Sequence, residues 1–357
     1  MLGFKPFEAF TQRRFMKISG KERIKKIWTE MNCPGIILMY HRVVKLEHDP
    51  WELSVLPERF DEHMRVLKKY GGPVTMREMG KAVNRFTIGQ KAVAITFDDG
   101  YADNFQNAKP ILEKYGIPAT FFITTGAIDA HKEFWWDEIG RITLAAKTLP
   151  ATFQLTIGKT EYRWQVDSKN QEQLTESQAE TVGIPENNAI LSRIRLHYAL
   201  WQILSRLSVE EKWVVLRQIA EWAGQPPDPR ADHLAMTSEE LISLANSKLF
   251  EIGAHTVNHP MLSRLPLEHQ EEEIIKSKQD LEEKLTQPIT SFAYPHGDYS
   301  EETIKILKQC KFKNACVVKT ERISRNSDPF RLPRFGVWNL SGDEFEKTLR
   351  YWLREAK

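Results

Sequence analysis

The chain is poor in the features that mark several common protein classes. Cysteine is scarce: Cys33, Cys310 and Cys316 are an odd number without metal-ligand spacing, which argues against a disulfide framework and for buried thiols or a reducing compartment. An imbalance of charge is missing too. Fifty basic residues face 48 acidic ones, a net charge of +2, so no basic field marks nucleic acid as a partner. No run of about 18 apolar residues occurs, and a membrane-spanning helix is not expected. Residues 1–28 contain no uninterrupted apolar core of about 7 to 15 residues, which an export signal would need. The expected compartment is the cytoplasm.

What stands at the N-terminus instead is a basic amphipathic segment, residues 1–30, that mixes Phe4, Phe7, Phe10, Phe15 and Met16 with Lys5, Arg13, Arg14, Lys17, Lys21, Arg23, Lys25 and Lys26. Through residues 1–28 it could lie on an anionic membrane as a peripheral anchor at the inner face. It could equally dock on the protein as a basic helix with one packed face. With 41% hydrophobic and 27% charged residues, the remainder reads as an ordinary soluble globular chain.

Short β-rich runs alternate with segments of helical period. Strands are expected at IILMY (36–40), AVAITF (92–97), ATFFIT (119–124), LFEIGA (249–254), TSFAY (290–294), NACVV (314–318) and FGVW (335–338), with a weaker one near Val74. Helices are expected after Pro57, around Phe105 to Tyr115, over Leu267 to Leu285, and after Ser300 and Ser341. About seven βα units imply an α/β fold with a parallel sheet, closed into a barrel or left open and doubly wound. The alternation is interrupted between residues 127 and 236 by FWWDEIGRI, a hairpin pattern at 151–166, a polar stretch, a helical pattern at 190–207 and the proline-rich GQPPDPRAD. This reads as a largely helical insertion in a βα loop, the barrel being residues 31–126 and 237–357.

Polar residues recur where the strands stop. His41 follows IILMY, Asp98 and Asp99 follow AVAITF, His255 follows FEIGA, and Pro295, His296 and Gly297 follow TSFAY. In a barrel the C-terminal strand ends converge on one point, which is where chemistry is done. Alone, Asp-Asp-Gly also suits a turn. The pair His255 and His259, four apart in GAHTVNHPM, suits one face of a helical turn, although Pro260 disfavours helix at His259 and points to a loop. Two imidazoles and one carboxylate with an open position make a catalytic divalent-cation site. The second aspartate is then placed to take a proton from a water.

TFDDG, HTVNHP and FAYPHG, in that order, resemble the polysaccharide deacetylases, also called NodB-homology or carbohydrate esterase family 4 enzymes. The resemblance covers roughly residues 36–126 and 237–340. It implies a distorted (β/α) barrel, a divalent metal ion that is commonly zinc, and hydrolysis of an N-acetyl or O-acetyl group on a sugar. By motif position it makes Asp98 the general base and Asp99, His255 and His259 the metal ligands. The third motif departs from the family pattern Arg-x-Pro-Tyr, whose arginine braces the catalytic aspartate, because the matching run here is Ala293-Tyr294-Pro295-His296. Arg334, and after it Arg331, are the candidates to supply that charge from elsewhere. The backbone N–H of His296 is the implied oxyanion donor.

The Leu-x-His motif that carries the general acid in many members is absent, since no histidine follows His296. LMYHRV resembles the version in biofilm-type exopolysaccharide deacetylases, where that motif is permuted to the first strand, and this implies that His41 is the acid. Tyr294 and Pro295 are expected to touch substrate. Trp135 and Trp136 are expected either to stack on a sugar or to anchor the insertion. The expected partner is an acetylated sugar on a nucleotide, on a lipid carrier or in a polysaccharide. A metal-dependent phosphoesterase and a catalytically silent carbohydrate-binding homologue remain as alternatives.

Overall fold

A computed structural model of the chain describes residues 35–70, 72–85, 92–167, 169, 183–225, 228–324 and 326–353. The basic segment 1–30, and with it the surface association expected of residues 1–28, lies outside the described residues, as does Cys33. Along the chain the strands are β1 (Gly35–Tyr40), β2 (Arg42–Val43), β3 (Ser54–Val55), β4 (Gly72–Val74), β5 (Ala92–Phe97), β6 (Ala119–Ile123), β7 (Thr152–Ile157), β8 (Thr160–Asp167), β9 (Ile190–Ser192), β10 (Phe250–Ala254), β11 (Ser291–Ala293), β12 (Asn314–Cys316) and β13 (Phe335–Gly336). The helices are α1 (Pro57–Tyr70), α2 (Met76–Arg85), α3 (Lys109–Tyr115), α4 (Trp135–Thr143), α5 (Arg193–Leu204), α6 (Val209–Ala223), α7 (Ser238–Ala245), α8 (Leu267–Leu285), α9 (Glu301–Gln309) and α10 (Gly342–Leu353). The described residues fall into two compact units, one of 133–233 together with 47–51, the other of 35–46, 52–132 and 234–353.

The larger unit is built on one parallel sheet with the order β12-β11-β10-β6-β5-β1-β13. Its strands GIILMY, AVAITF, ATFFI and FEIGA are buried along their whole length, as expected of parallel strands covered on both faces. Side chains alternate between two cores with the period of a strand. Leu38, Tyr40, Ile95, Phe97, Phe121, Ile252, Phe292 and Tyr294 belong to one core, shared with α1, α8 and α10. Ile37, Ala92, Ala94, Phe122, Ala293, Cys316 and Leu332 form the other, which Met76, Met79 and Val83 of α2 join.

Two irregularities make this a distorted (β/α) barrel. One flank of β5 is shared, β4 pairing with Ala92–Ala94 and β6 with Thr96 and Phe97. The ends of the sheet meet through a parallel bridge between Cys316 and Leu332, with Val317 N–H donating to Leu332 O at 2.9 Å and Arg334 N–H to Lys319 O at 3.0 Å. The chain then crosses to pair Phe335 and Gly336 with β1. Arg334 therefore enters at the seam. Helix starts follow their caps: Thr237 and Glu240 form a capping box on α7, and Ser300 and Thr303 do so on α9.

The smaller unit has a hairpin of β7 and β8, turned at Gly158 with φ +58°, to which β9 adds in parallel. Ser192 ends β9 and caps α5, accepting from Arg195 N–H, so the helical pattern at 190–207 begins as a strand. Phe153 and Trp164 stack at 5.4 Å, and Glu133 is ion-paired to Arg230 at 2.6 Å. Among the described residues no helix is long and apolar enough to cross a membrane.

Candidate active site

The site begins where β5 stops. Asp98 N–H continues the ladder by donating to Tyr40 O at 3.1 Å, and the chain then turns through Asp99 and Gly100 at φ +72° and +87°. A left-handed aspartate is uncommon. Here its carbonyl accepts from Thr124 N–H at 3.2 Å, and the two neighbouring carboxylates take different partners. Thr256, His259 and His296 are left-handed as well, at φ +64°, +56° and +56°. Four such residues in one place are a costly arrangement of the kind found where function fixes geometry.

His255 and His259 sit on a loop, not on a helical turn, in keeping with Pro260 after His259. Thr256 Oγ1 accepts from His259 N–H at 3.0 Å. Glu273 of α8 braces the loop from outside, its carboxylate accepting from Val257 N–H at 2.8 Å, Asn258 N–H at 2.9 Å and Asn258 Nδ2 at 2.7 Å. Asp99 Oδ1 lies 3.5 Å from His255 Nε2 and 3.2 Å from His259 Nε2. One donor atom from each of the three residues falls within 4.8 Å of the others, and all three are buried.

This arrangement fits a divalent cation on its own chemistry. His255 Nδ1 is 2.7 Å from Ala293 O, a group that can only accept, so the Nδ1 proton is fixed there and the Nε2 lone pair faces Asp99. Asp99 Oδ1 is buried without a hydrogen-bond partner. A lone pair opposite a carboxylate oxygen is what a cation satisfies. Burial pushes Asp99 up, but the adjoining imidazoles outweigh it and hold the carboxyl well below the usual carboxylate range. Burial likewise pushes the His259 imidazole down despite Asp99, favouring the neutral form that ligates.

Asp98 has a different partner. Arg334 donates to it through both terminal nitrogens, Nη1 to Oδ1 and Nη2 to Oδ2, each at 2.7 Å. The guanidinium is held in turn by Thr96 Oγ1 at 3.2 Å and Val317 O at 3.4 Å. Burial raises Asp98, yet Arg334, His255 and His41 together bring its carboxyl below the usual range. Arg331 instead lies toward solvent, ion-paired to Glu301 and, at 3.3 Å, to Asp328. Of the two candidate arginines, the structure puts Arg334 on Asp98.

His41 follows β1, is half-buried, and stands near enough that its charge lowers both Asp98 and Asp99. His296 has an exposed side chain, its ring 4.5 Å from that of His259. It occupies a tight turn in which Gly297 N–H donates to Tyr294 O and Asp298 N–H to Pro295 O.

Four expected substrate contacts require correction. Tyr294 is fully buried, its hydroxyl donating to Phe330 O at 3.0 Å, and Pro295 is buried beside it. Strand alternation sends Tyr294 outward with Phe292. Trp135 and Trp136 are each 6% exposed. They belong to the interior of the smaller unit, Trp136 stacked on Phe134 at 4.6 Å and Trp135 on Trp201 at 6.1 Å, with Lys212 over the Trp135 ring. None offers a ring face to a sugar. Conversely, Thr96, Glu273 and a buried pair, Arg42 with Asp103 at 3.0 Å, escape the sequence. The one available signal is the polar DN after the Asp-Asp-Gly turn.

Comparisons with known proteins bear on the family and the fold. A family model described as "Polysaccharide deacetylase" matches residues 85–148 and 198–315. The chain is 33% identical over 131 residues to the putative polysaccharide deacetylase YxkH of Bacillus subtilis, covering 36% of this chain and 45% of that protein. It is 30% identical over 128 residues to the poly-β-1,6-N-acetyl-D-glucosamine N-deacetylase of Staphylococcus epidermidis, covering 32% and 43%. The matches thus span less than half the length of these curated relatives. Among solved structures, IcaB from Ammonifex degensii superposes with a TM-score of 0.55 at 17% identity over 91% of this chain and 98% of that one. The Streptococcus pyogenes deacetylase PplD, in complex with acetate, does so at 0.51 and 20% over 88% and 97%.

Proposed function

The chain belongs to the polysaccharide deacetylase family, and from that premise we propose that it is a metal-dependent hydrolase that removes an acetyl group from a sugar and releases acetate. The observation that carries the reading is the meeting of two unlike carboxylates on adjacent residues, Asp99 beside two imidazoles and Asp98 on a buried arginine. Asp99, His255 and His259 would hold the cation, and a set of two nitrogens and one oxygen suits zinc. A divalent ion there supplies Lewis acidity to a water and to the acetyl carbonyl oxygen.

The chain's own residues supply the rest. Asp98, kept ionised by Arg334, accepts the proton of the attacking water on a carboxylate lone pair not used by the guanidinium. The His296 N–H donates a hydrogen bond to the developing oxyanion. His41 delivers a proton to the leaving nitrogen, completing hydrolysis of a linear amide C–N bond. Arg334 also restrains Asp98 from swinging onto the cation site, which keeps the two carboxylates in separate roles.

N-acetylglucosamine is the sugar favoured by the name of the Staphylococcus epidermidis relative; the carrier is a nucleotide, a lipid or a polysaccharide. The test is mass spectrometry of acetylated sugar nucleotides, lipid-linked sugars and N-acetylglucosamine oligomers after incubation with the protein, with zinc added or chelated. Loss of an acetyl group that zinc restores after chelation is expected. Undiminished acetate release in chelator would refute the metal requirement. Phosphate in place of acetate would move the assignment to a phosphoesterase.

A further inference from the structure

The main chain at His41 is held from one side by a single turn of helix. Asn104 Nδ2 donates to the His41 carbonyl at 2.8 Å, Asp103 Oδ1 accepts from Val43 N–H at 2.7 Å, and Asn107 Nδ2 donates to the Val43 carbonyl at 2.7 Å. Between these bonds Arg42 lays its guanidinium over the Tyr101 ring at 4.1 Å, and its Nε donates to Asp103 Oδ2 at 3.0 Å. Asn104 Nδ2 also donates to Asp103 Oδ1 at 3.1 Å, which ties the two gripping side chains together. Arg42, Asp103 and Asn104 are all buried.

The turn is of an unusual kind with a local cause. Asn104–Ala108 is a π-helical turn closed by Lys109 N–H on Asn104 O, and it precedes Pro110 in the first turn of α3. Proline has no N–H for the carbonyl four residues back, and its ring crowds that carbonyl. Widening the preceding turn relieves the clash, and such insertions recur at functional sites. The result turns Asp103, Asn104 and Asn107 onto the same stretch of chain.

These bonds add nothing to the barrel sheet, whose β1–β5 pairing ends at Tyr40 and Phe97. We infer that Asp103, Asn104 and Asn107 are positioning residues for His41, fixing where its imidazole stands relative to Asp98. The inference rests on His41 being the general acid proposed above. An amide needs its leaving nitrogen protonated, whereas an activated aryl ester expels a phenolate without help. Misplacing the acid therefore slows amide cleavage selectively.

The experiment compares acetate release from an N-acetylglucosamine oligomer with hydrolysis of 4-methylumbelliferyl acetate, using the full chain loaded with zinc. Asn104→Ala should lower the amide rate about 10- to 100-fold, the scale of a displaced catalytic group, and change the ester rate less than about twofold. Half-buried Asn107 gives a milder variant, Asn107→Ala, expected to shift the ratio the same way should Asn104→Ala fold poorly. His41→Ala is the reference. Equal losses on both substrates in the asparagine variants would reduce the turn to a structural role and overturn the inference. A selective loss in His41→Ala with wild-type ratios in both asparagine variants would overturn it while sparing the general acid. No selectivity in His41→Ala itself would remove the general acid, and the inference with it.

Discussion

The two units bury polar side chains to opposite ends. In the larger one, buried groups of different chemistry meet at the strand ends: Asp98 on Arg334, Asp99 beside His255 and His259, Asp103 on Arg42. In the smaller one, the buried polar groups tie a helix to itself, one helix to another or the start of the unit to its end. Thr143 Oγ1 donates to Ile139 O within its helix and faces His197 Nδ1 at 3.4 Å, Arg141 pairs with Glu138 one turn away, and Glu133 with Arg230 spans the start and end of the unit. Its rings stack on one another. Burial of polar atoms is common to both, so convergence of unlike groups is the property that distinguishes a reactive centre from an ordinary packed core.

The sharpest test of that contrast is Asp98→Asn, which should lower acetate release by about 10²- to 10⁴-fold, the range for a lost general base, with zinc content unchanged. Activity within tenfold of the parent would remove Asp98 from the chemistry. The counterpart in the smaller unit is Trp135→Ala. As a core truncation it should cost about 3–5 kcal/mol of stability, read by denaturant unfolding, and leave zinc stoichiometry in folded protein intact. Loss of the metal without loss of stability would break the contrast.

Acid should expose what the units share. His63 of the larger unit is buried as the neutral imidazole, accepting from the Tyr40 hydroxyl at 3.2 Å and donating from Nε2 to Leu340 O at 2.8 Å, with the Phe345 ring stacked on it. Burial brings it down to about 4 even with the Leu340 carbonyl and Glu62 opposing, and burial brings His197 of the smaller unit down to about 3. Both lie below an unfolded value of about 6.5. The unfolded chain therefore binds protons first, and stability is full above pH ~6.5 and falls as pH drops toward 4 and then 3. Each imidazole contributes on the order of 3 kcal/mol to that loss. Unfolding free energies from pH 7 to 4 that stay flat would contradict it.

Two smaller effects complete the series. Glu273→Ala removes the brace from the two-histidine loop and should weaken zinc about 10- to 100-fold, as loss of an outer partner does, measured by competition with a chelating dye. Arg331→Ala should change stability by less than about 1 kcal/mol, the ceiling for exposed pairs, and leave the acetate rate alone. A large rate effect there would reopen the choice between the two arginines.

The strands that build the centre were legible because parallel strands read as unbroken apolar runs, and a charge at the end of such a run stands out. Asp98, Asp99, His255 and His41 were found that way. Arg334 was harder. It sits beside Asp98, 236 residues away in sequence, only because the last strand returns to β1, which no local pattern reports. Tyr294 was misjudged because adjacency to a motif was read as participation, whereas alternation turns it outward. Trp135 and Trp136 stayed open between two readings for another reason, since an aromatic cluster looks the same whether it faces a ligand or its own core. The Arg42 and Asp103 pair was invisible because DN after a turn reads as more turn.

Residue 293 serves the site through its main chain alone. The family resemblance led to the expectation of a bracing arginine there; in this chain an alanine holds the position, and its carbonyl fixes the tautomer of His255. A main-chain oxygen survives any substitution that keeps the fold. The side chain at residue 293 and the orientation of the His255 imidazole are therefore separate matters, although the residue stands at the centre of the chemistry.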